Sequence, residues 1–244
     1  MAKPIVYLVL ACKGSDQFRV IADLVEFGTS EEEKSAFYFS SRDAEEVESD
    51  FAVKHRSVST GAYAFEDGRL TLEVDETADL VFIAADGLGD PADFVEAFHA
   101  WLPDSGCELG RVITVLHSDL AIGNKDAFPW FDCCIHFSDV VLLSCREKVG
   151  NKEIKAFLDR YEELCFPCLW EYVKKGRVGN PSLVLDTQSR RISRIFDVPE
   201  VFEDDGEEDE WEEDIAGDVT KDPFLKTVSG GKRAKELPDI GTFL

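Results

Sequence analysis

Four short runs of this 244-residue chain, Ile5–Leu10, Leu80–Ala85, Arg111–Leu116 and Asp139–Leu143, are apolar nearly throughout. A strand that is apolar on both its faces has to be covered on both. Helical connections between such strands place them side by side in parallel. The intervening stretches supply those helices. Phe18, Ile21, Ala22, Leu24 and Val25 recur at helical spacing, as do Phe94, Ala97, Phe98 and Trp101 behind an Asp90 N-cap and Pro91. Phe128, Phe131 and Ile135 form a third apolar face, and Ile154, Phe157, Leu158, Tyr161 and Leu164 a fourth, on a helix over Asn151–Cys165. The pattern predicts an α/β protein with a doubly wound, mostly parallel sheet and these four runs as its central strands.

The remaining elements are less strongly marked. Residues 28–50 are polar and charged and read as solvated connections around a short strand at Ala36–Phe39. Phe51–Val58 and Ala62–Val74 read as strands, the latter folding back at Glu66-Asp67-Gly68 as a hairpin on the sheet edge. Trp170–Lys175 is expected to be a last helix and Leu183–Leu185 a short strand.

Charge sets limits on partners. The formal net charge is −24, which argues against nucleic acid, since a wide phosphate surface could not be neutralised. The charge is concentrated: residues 197–218 hold 13 acids and no base, whereas residues 219–244 hold five bases and three acids. This divides the chain into an α/β body over 1–196, an acidic linker over 197–218 expected to be disordered, and a C-terminal segment over 219–244. That last segment regains Phe224, Leu225, Leu237, Ile240, Phe243 and Leu244, and is expected to dock on the body or on a second subunit as a homo-oligomer contact. No run is long enough to span a membrane, and seven cysteines without a regular framework predict free thiols in the reducing cytoplasm.

The first strand opens through Ala11-Cys12-Lys13-Gly14-Ser15-Asp16-Gln17-Phe18 into a helix, the place where an α/β protein usually holds a phosphate. A phosphate loop reads G-x-x-x-x-G-K-[ST]. In that register the four defining positions are Ala11, Asp16, Gln17 and Phe18, so the glycines, the lysine and the Mg²⁺-binding hydroxyl are all replaced.

Three further stretches resemble one family. Val81-Phe82-Ile83-Ala84-Ala85-Asp86-Gly87-Leu88-Gly89-Asp90-Pro91 resembles the I-E-T-x-G-L-A-D-P strand and turn of the CobW-type GTPases, relatives of the UreG and HypB metallochaperones. Arg111-Val112-Ile113-Thr114-Val115-Leu116 is similar to their V-V-T-V-V-D-A strand, and Phe137-Ser138-Asp139-Val140-Val141-Leu142-Leu143 to their F-A-D-V-I-L-L strand. Phe166-Pro167 and Gly176-Arg177-Val178 resemble later N-P and G-x-V positions, so the likeness runs over about residues 4–185 in order. It implies a P-loop NTPase-like fold and, for an intact member, GTP with Mg²⁺. The functional positions depart from the family. Beyond the loop, the strand acid is Ala84, with Asp86 two residues on as a displaced substitute. The guanine-reading N-K-x-D is Ser144-Cys145-Arg146-Glu147, and residues 28–80, where a Cys-x-Cys-Cys metal motif belongs, contain no cysteine.

Three readings follow. The first is a pseudo-GTPase with no cofactor, acting as a regulatory or interaction module for a protein partner. The second is a divergent GTPase- or metallochaperone-like protein that holds nucleotide through Gly14, Ser15, Gln17, Asp86 and Glu147. The third is a thiol or metal protein using Cys165 and Cys168, whose C-x-x-C spacing lies among Leu164, Leu169 and Trp170 and is more simply read as buried, inert thiols. Two smaller clusters complete the inventory: Cys133-Cys134 with His136, whose adjacent thiols diverge on a helix, and His117-Ser118-Asp119, which reads as a capping loop.

Overall fold

The structure, a computed structural model, describes residues 3–197 and 217–244. The chain runs β1 (Ile5–Ala11), α1 (Gln17–Gly28), β2 (Ser35–Ser40), α2 (Ala44–Asp50), β3 (Val58–Glu66), β4 (Arg69–Thr71), β5 (Leu80–Ala84) and α3 (Pro91–Trp101). It continues β6 (Glu108–His117), α4 (Ser118–Gly123), α5 (Phe128–Phe137), β7 (Val140–Ser144), α6 (Asn151–Glu163), β8 (Leu169–Lys174), β9 (Arg177–Val178) and α7 (Pro181–Val184). The strands form one sheet in the order β4-β3-β2-β5-β1-β6-β7-β8-β9. Every pairing is parallel except β3–β4 and β8–β9 at the two edges. The four apolar runs are the neighbours β5, β1, β6 and β7, in parallel, as their composition requires.

Alternation along each central strand explains why both faces are apolar. On β1, Val6, Leu8 and Leu10 belong to the core under α3, α5 and α6, whereas Tyr7, Val9 and Ala11 face α1 and α7. Val81 and Ile83 against Leu80, Phe82 and Ala84 repeat the division on β5. Helices therefore cover both faces, which is the doubly wound arrangement.

The edges correct the sequence reading in four places. Residues 51–57 are not a strand. Their backbone N–H groups at Lys54 and His55 donate to the Glu26 carboxylate on α1, at 2.7 and 3.1 Å, in place of a sheet neighbour. The polar stretch before them contains the helix α2, which buries Val47. Trp170–Lys175 is not a helix: Leu169–Lys174 pairs with β7, and its alternating large side chains follow a period of two. Leu183–Leu185 is not a strand: Asn180 Oδ1 accepts from Leu183 N–H at 3.3 Å and Pro181 opens the short helix α7. The hairpin at the β3–β4 edge stands as read, turning at Asp67-Gly68.

The acidic linker lies almost entirely outside the described residues. Residues 217–244 return to the body and bury Phe224, Leu225 and Ile240 in the same core cluster as the apolar residues of α3 and α5. Asp222 fixes their entry. It is buried, and its Oδ2 is 2.8 Å from His136 Nε2 and accepts from Ser193 Oγ at 2.7 Å. Phe224 lies 5.0 Å from the His136 ring, with Lys235 Nζ over its other face at 4.0 Å. Arg233 donates to Asp93 and Glu96 on α3 at 2.8 and 2.6 Å.

Candidate functional site

The chain leaves β1 toward β2 on one side, and later crosses from β5 over β1 to β6 on the other. The crevice at the carboxyl ends of β5, β1 and β6 is thus the switch point where ligands of open α/β sheets bind. Residues 12–16 occupy it, and the backbone N–H groups of Lys13 and Ser15 are taken by protein carbonyls. Lys13 N–H donates to Gly87 O at 2.9 Å, Ser15 N–H to Cys12 O at 3.2 Å, and the buried Ser15 hydroxyl to the same carbonyl at 2.7 Å. The turn before α3 lies tight against this loop: a side chain at Gly87 would put its Cβ 2.7 Å from Lys13 N. Gly14 takes a left-handed φ of +80 and Asp16 one of +62, where a non-glycine residue carries backbone strain.

Asp16 stands at the N-cap of α1 without a capping bond. Its carboxylate instead receives Arg19 at 3.4 Å, Ser144 Oγ at 3.5 Å and Cys145 Sγ at 3.9 Å. Cys145 Sγ also donates to Gly14 O at 3.5 Å, so the turn after β7 packs directly on the loop after β1. Gln17 points inward, buried, with Oε1 lacking a partner among the described residues. Phe18 is buried in the core, its ring 6.1 Å from that of Phe37. Phe18, at the position the sequence register sets against a hydroxyl, is therefore a core residue.

The other sequence candidates separate. Asp86 adjoins the loop through Gly87, accepts from Leu88 N–H at 2.9 Å and pairs with Arg42 at 3.3 Å. Glu147 is exposed and shares a shallow groove with Asp16, Cys145 and Lys175, apart from Asp86. Asp90 is an N-cap, accepting from Ala92 and Asp93 N–H at 2.8 and 3.4 Å, and does not form an acid pair with Asp86. His117 Nδ1 accepts from Leu120 N–H at 3.3 Å and so caps α4, as the capping-loop reading expects.

The cysteine pair follows the end of α6, and its two members differ in burial. Cys168 is buried, and burial pushes its thiol up to about 12. Cys165 is exposed, against the expectation that both are buried. It takes φ +56 as Phe166 N–H reaches back to Tyr161 O at 3.0 Å, a turn that sends Phe166 inward and Cys165 out. Cys133 and Cys134 are buried with thiols raised by burial. Among the described residues, no three His, Cys, Asp or Glu side chains gather as a metal site.

The sequence offered no signal for Asp43, which ends the turn after β2 and is buried, with Oδ2 unpartnered among the described residues. Burial, then the charges of Asp86 and Glu46, push its carboxyl from the ordinary 3.8 to about 6. The folded chain thus holds this proton more tightly than the unfolded chain. Its stabilising share is fully present below pH 3.8 and is lost as pH rises through about 6. Asp43→Asn should stabilise the protein by about 2–3 kcal/mol at pH 8 and leave it unchanged near pH 3–4. Urea melts at the two pH values check this, and an equal gain at both would contradict it.

No protein-family model matches this chain. No curated protein matches it in sequence. Solved structures that resemble it include a Zn(II)-bound triple mutant of the YjiA GTPase, 16% identical with a TM-score of 0.42, over 78% of this chain and 67% of that one. The Zn(II)-bound YjiA GTPase from E. coli aligns over the same shares at 15% identity and a TM-score of 0.39. The signal recognition particle receptor FtsY from Elizabethkingia anophelis, in complex with GDP, is 13% identical with a TM-score of 0.48, over 77% of this chain and 64% of that one. No helix among the described residues is long and apolar enough to cross a membrane.

Proposed function

We propose that this chain is a pseudo-GTPase of CobW-like descent, a regulatory or interaction module whose nucleotide site no longer takes nucleotide. The observation that carries the reading is the loop of residues 12–16. A phosphate loop works by presenting free backbone N–H groups, a lysine and a hydroxyl to the phosphates and Mg²⁺. Here the N–H groups of Lys13 and Ser15 are bonded to protein carbonyls, Gln17 faces inward, and Phe18 belongs to the core. Asp16 adds a carboxylate where phosphate charge would gather. Phosphoryl transfer rests on positioning and charge stabilisation, and this site lacks the groups for both.

The partner in this reading is a protein, met by the acidic stretch and the exposed surface of the body in the cytoplasm. The full chain incubated with GTP and Mg²⁺ should release no phosphate above the buffer control. Phosphate release that disappears in Asp86→Asn would contradict the proposal.

A further inference from the structure

We infer that a cavity of about 510 Å³ at the carboxyl ends of β1, β2, β3 and β5 binds an organic cation, a guanidinium or ammonium group on an apolar stem. The inference goes beyond the pseudo-GTPase reading and does not depend on it, because the cavity lies to the β2–β3 side of the switch-point loop. Its volume falls in the range of small-ligand sites.

Four of its lining residues are aromatic: the ring of Phe94 lies 5.2 Å from Tyr63 and 5.4 Å from Phe65, giving a continuous apolar surface, and Trp130 is the fourth. The polar groups on the lining are mainly acceptors. Glu66 is exposed and makes no ion pair or side-chain hydrogen bond among the described residues. Asp86 accepts from Leu88 N–H through Oδ1 at 2.9 Å, and its Oδ2 lies 3.3 Å from Arg42, whose side chain stands 73% exposed.

An anion is the wrong occupant. Asp90 already takes the N–H groups of Ala92 and Asp93 at the start of α3. Arg42, a lining base, pairs with Asp86, so these two charges offset one another. What remains is the Glu66 carboxylate and aromatic faces, the pairing that attracts a cation with a hydrocarbon stem.

The chemistry is shared by a free alkyl cation and by an arginine or lysine side chain of a protein segment. Calorimetry on the full chain, with n-butylguanidinium and with an acetylated, amidated Gly-Arg-Gly peptide as probes, tests the inference, and butyl phosphate serves as the anionic control. The expected result is saturable binding of the cations, none of butyl phosphate, and at least a tenfold loss of affinity in Glu66→Gln/Asp86→Asn. Glu66→Gln alone, at an exposed position, keeps the test valid if the double variant does not fold, and should weaken binding severalfold. Tighter binding of the peptide than of n-butylguanidinium assigns the site to a basic protein segment, and equal binding assigns it to a free small cation. No saturable binding of either cation at about 10 mM, or unchanged affinity in both variants, overturns the inference.

Discussion

Removing residues 219–244 should lower the thermal midpoint by about 10 °C or more, because this segment is part of the body's core. Phe224, Leu225 and Ile240 are each at most 5% exposed. Burying such side chains contributes about 1.5–3 kcal/mol apiece. Truncation exposes the apolar surface of α3 and α5 beneath them and leaves His136 and Ser193 without Asp222. Set against the ordering entropy that the shortened chain no longer loses, a net cost of about 3–5 kcal/mol remains, and each kcal/mol moves the midpoint of a chain this size by about 2–4 °C. Calorimetric scans of the two forms check this. Equal midpoints, with residues 219–244 unprotected in hydrogen exchange, would contradict the docked arrangement.

A second large effect is expected at Asp139, which precedes β7. Its carboxylate is wholly buried and holds three elements together. Oδ2 accepts from Val112 N–H on β6 at 2.8 Å, Oδ1 from Arg190 N–H at 2.6 Å, and both oxygens lie 3.1–3.2 Å from the Arg191 guanidinium. Asp139→Ala leaves the Arg191 guanidinium, its side chain 6% exposed, with only Asp197 at 3.3 Å, and strips the Val112 and Arg190 N–H groups of their acceptor; removing one partner of a buried pair typically costs about 3–5 kcal/mol. Asp139→Asn, which can still accept from Val112 N–H, should cost clearly less. Urea denaturation of the two variants checks the order. A loss below about 1 kcal/mol in Asp139→Ala would show that the carboxylate does not hold the segment of Arg190 and Arg191 in place.

Asp139 also shows what the sequence can and cannot reveal. The motif around it marks a buried central strand, since Val140 to Leu143 are apolar on both faces, and such a strand has one place in an α/β sheet. Nothing in the sequence couples Asp139 to Arg190 and Arg191, which are about 50 positions away and tied to it only by the folded path. The edges of the sheet were misread for a related reason. Within residues 51–57, Lys54 and His55 satisfy their N–H groups on Glu26, a side chain on another element, so local propensity does not decide the form of this stretch. The candidate site divides in the same way. The wrong residues in the loop after β1 are visible as letters, and so is the Asp90 cap. The buried carboxyl of Asp43 comes from a stretch whose composition reads as a solvated connection, and only the parallel pairing of β2 with β3 and β5 brings it to the crevice.

The central claim is that the loop of residues 12–16 is closed to phosphate. Its most direct test is a calorimetric titration of the full chain with GTP and Mg²⁺. The account predicts no binding tighter than about 1 mM, a free energy no more favourable than about −4 kcal/mol. Micromolar affinity that is lost in Gln17→Ala or Asp86→Ala would contradict it.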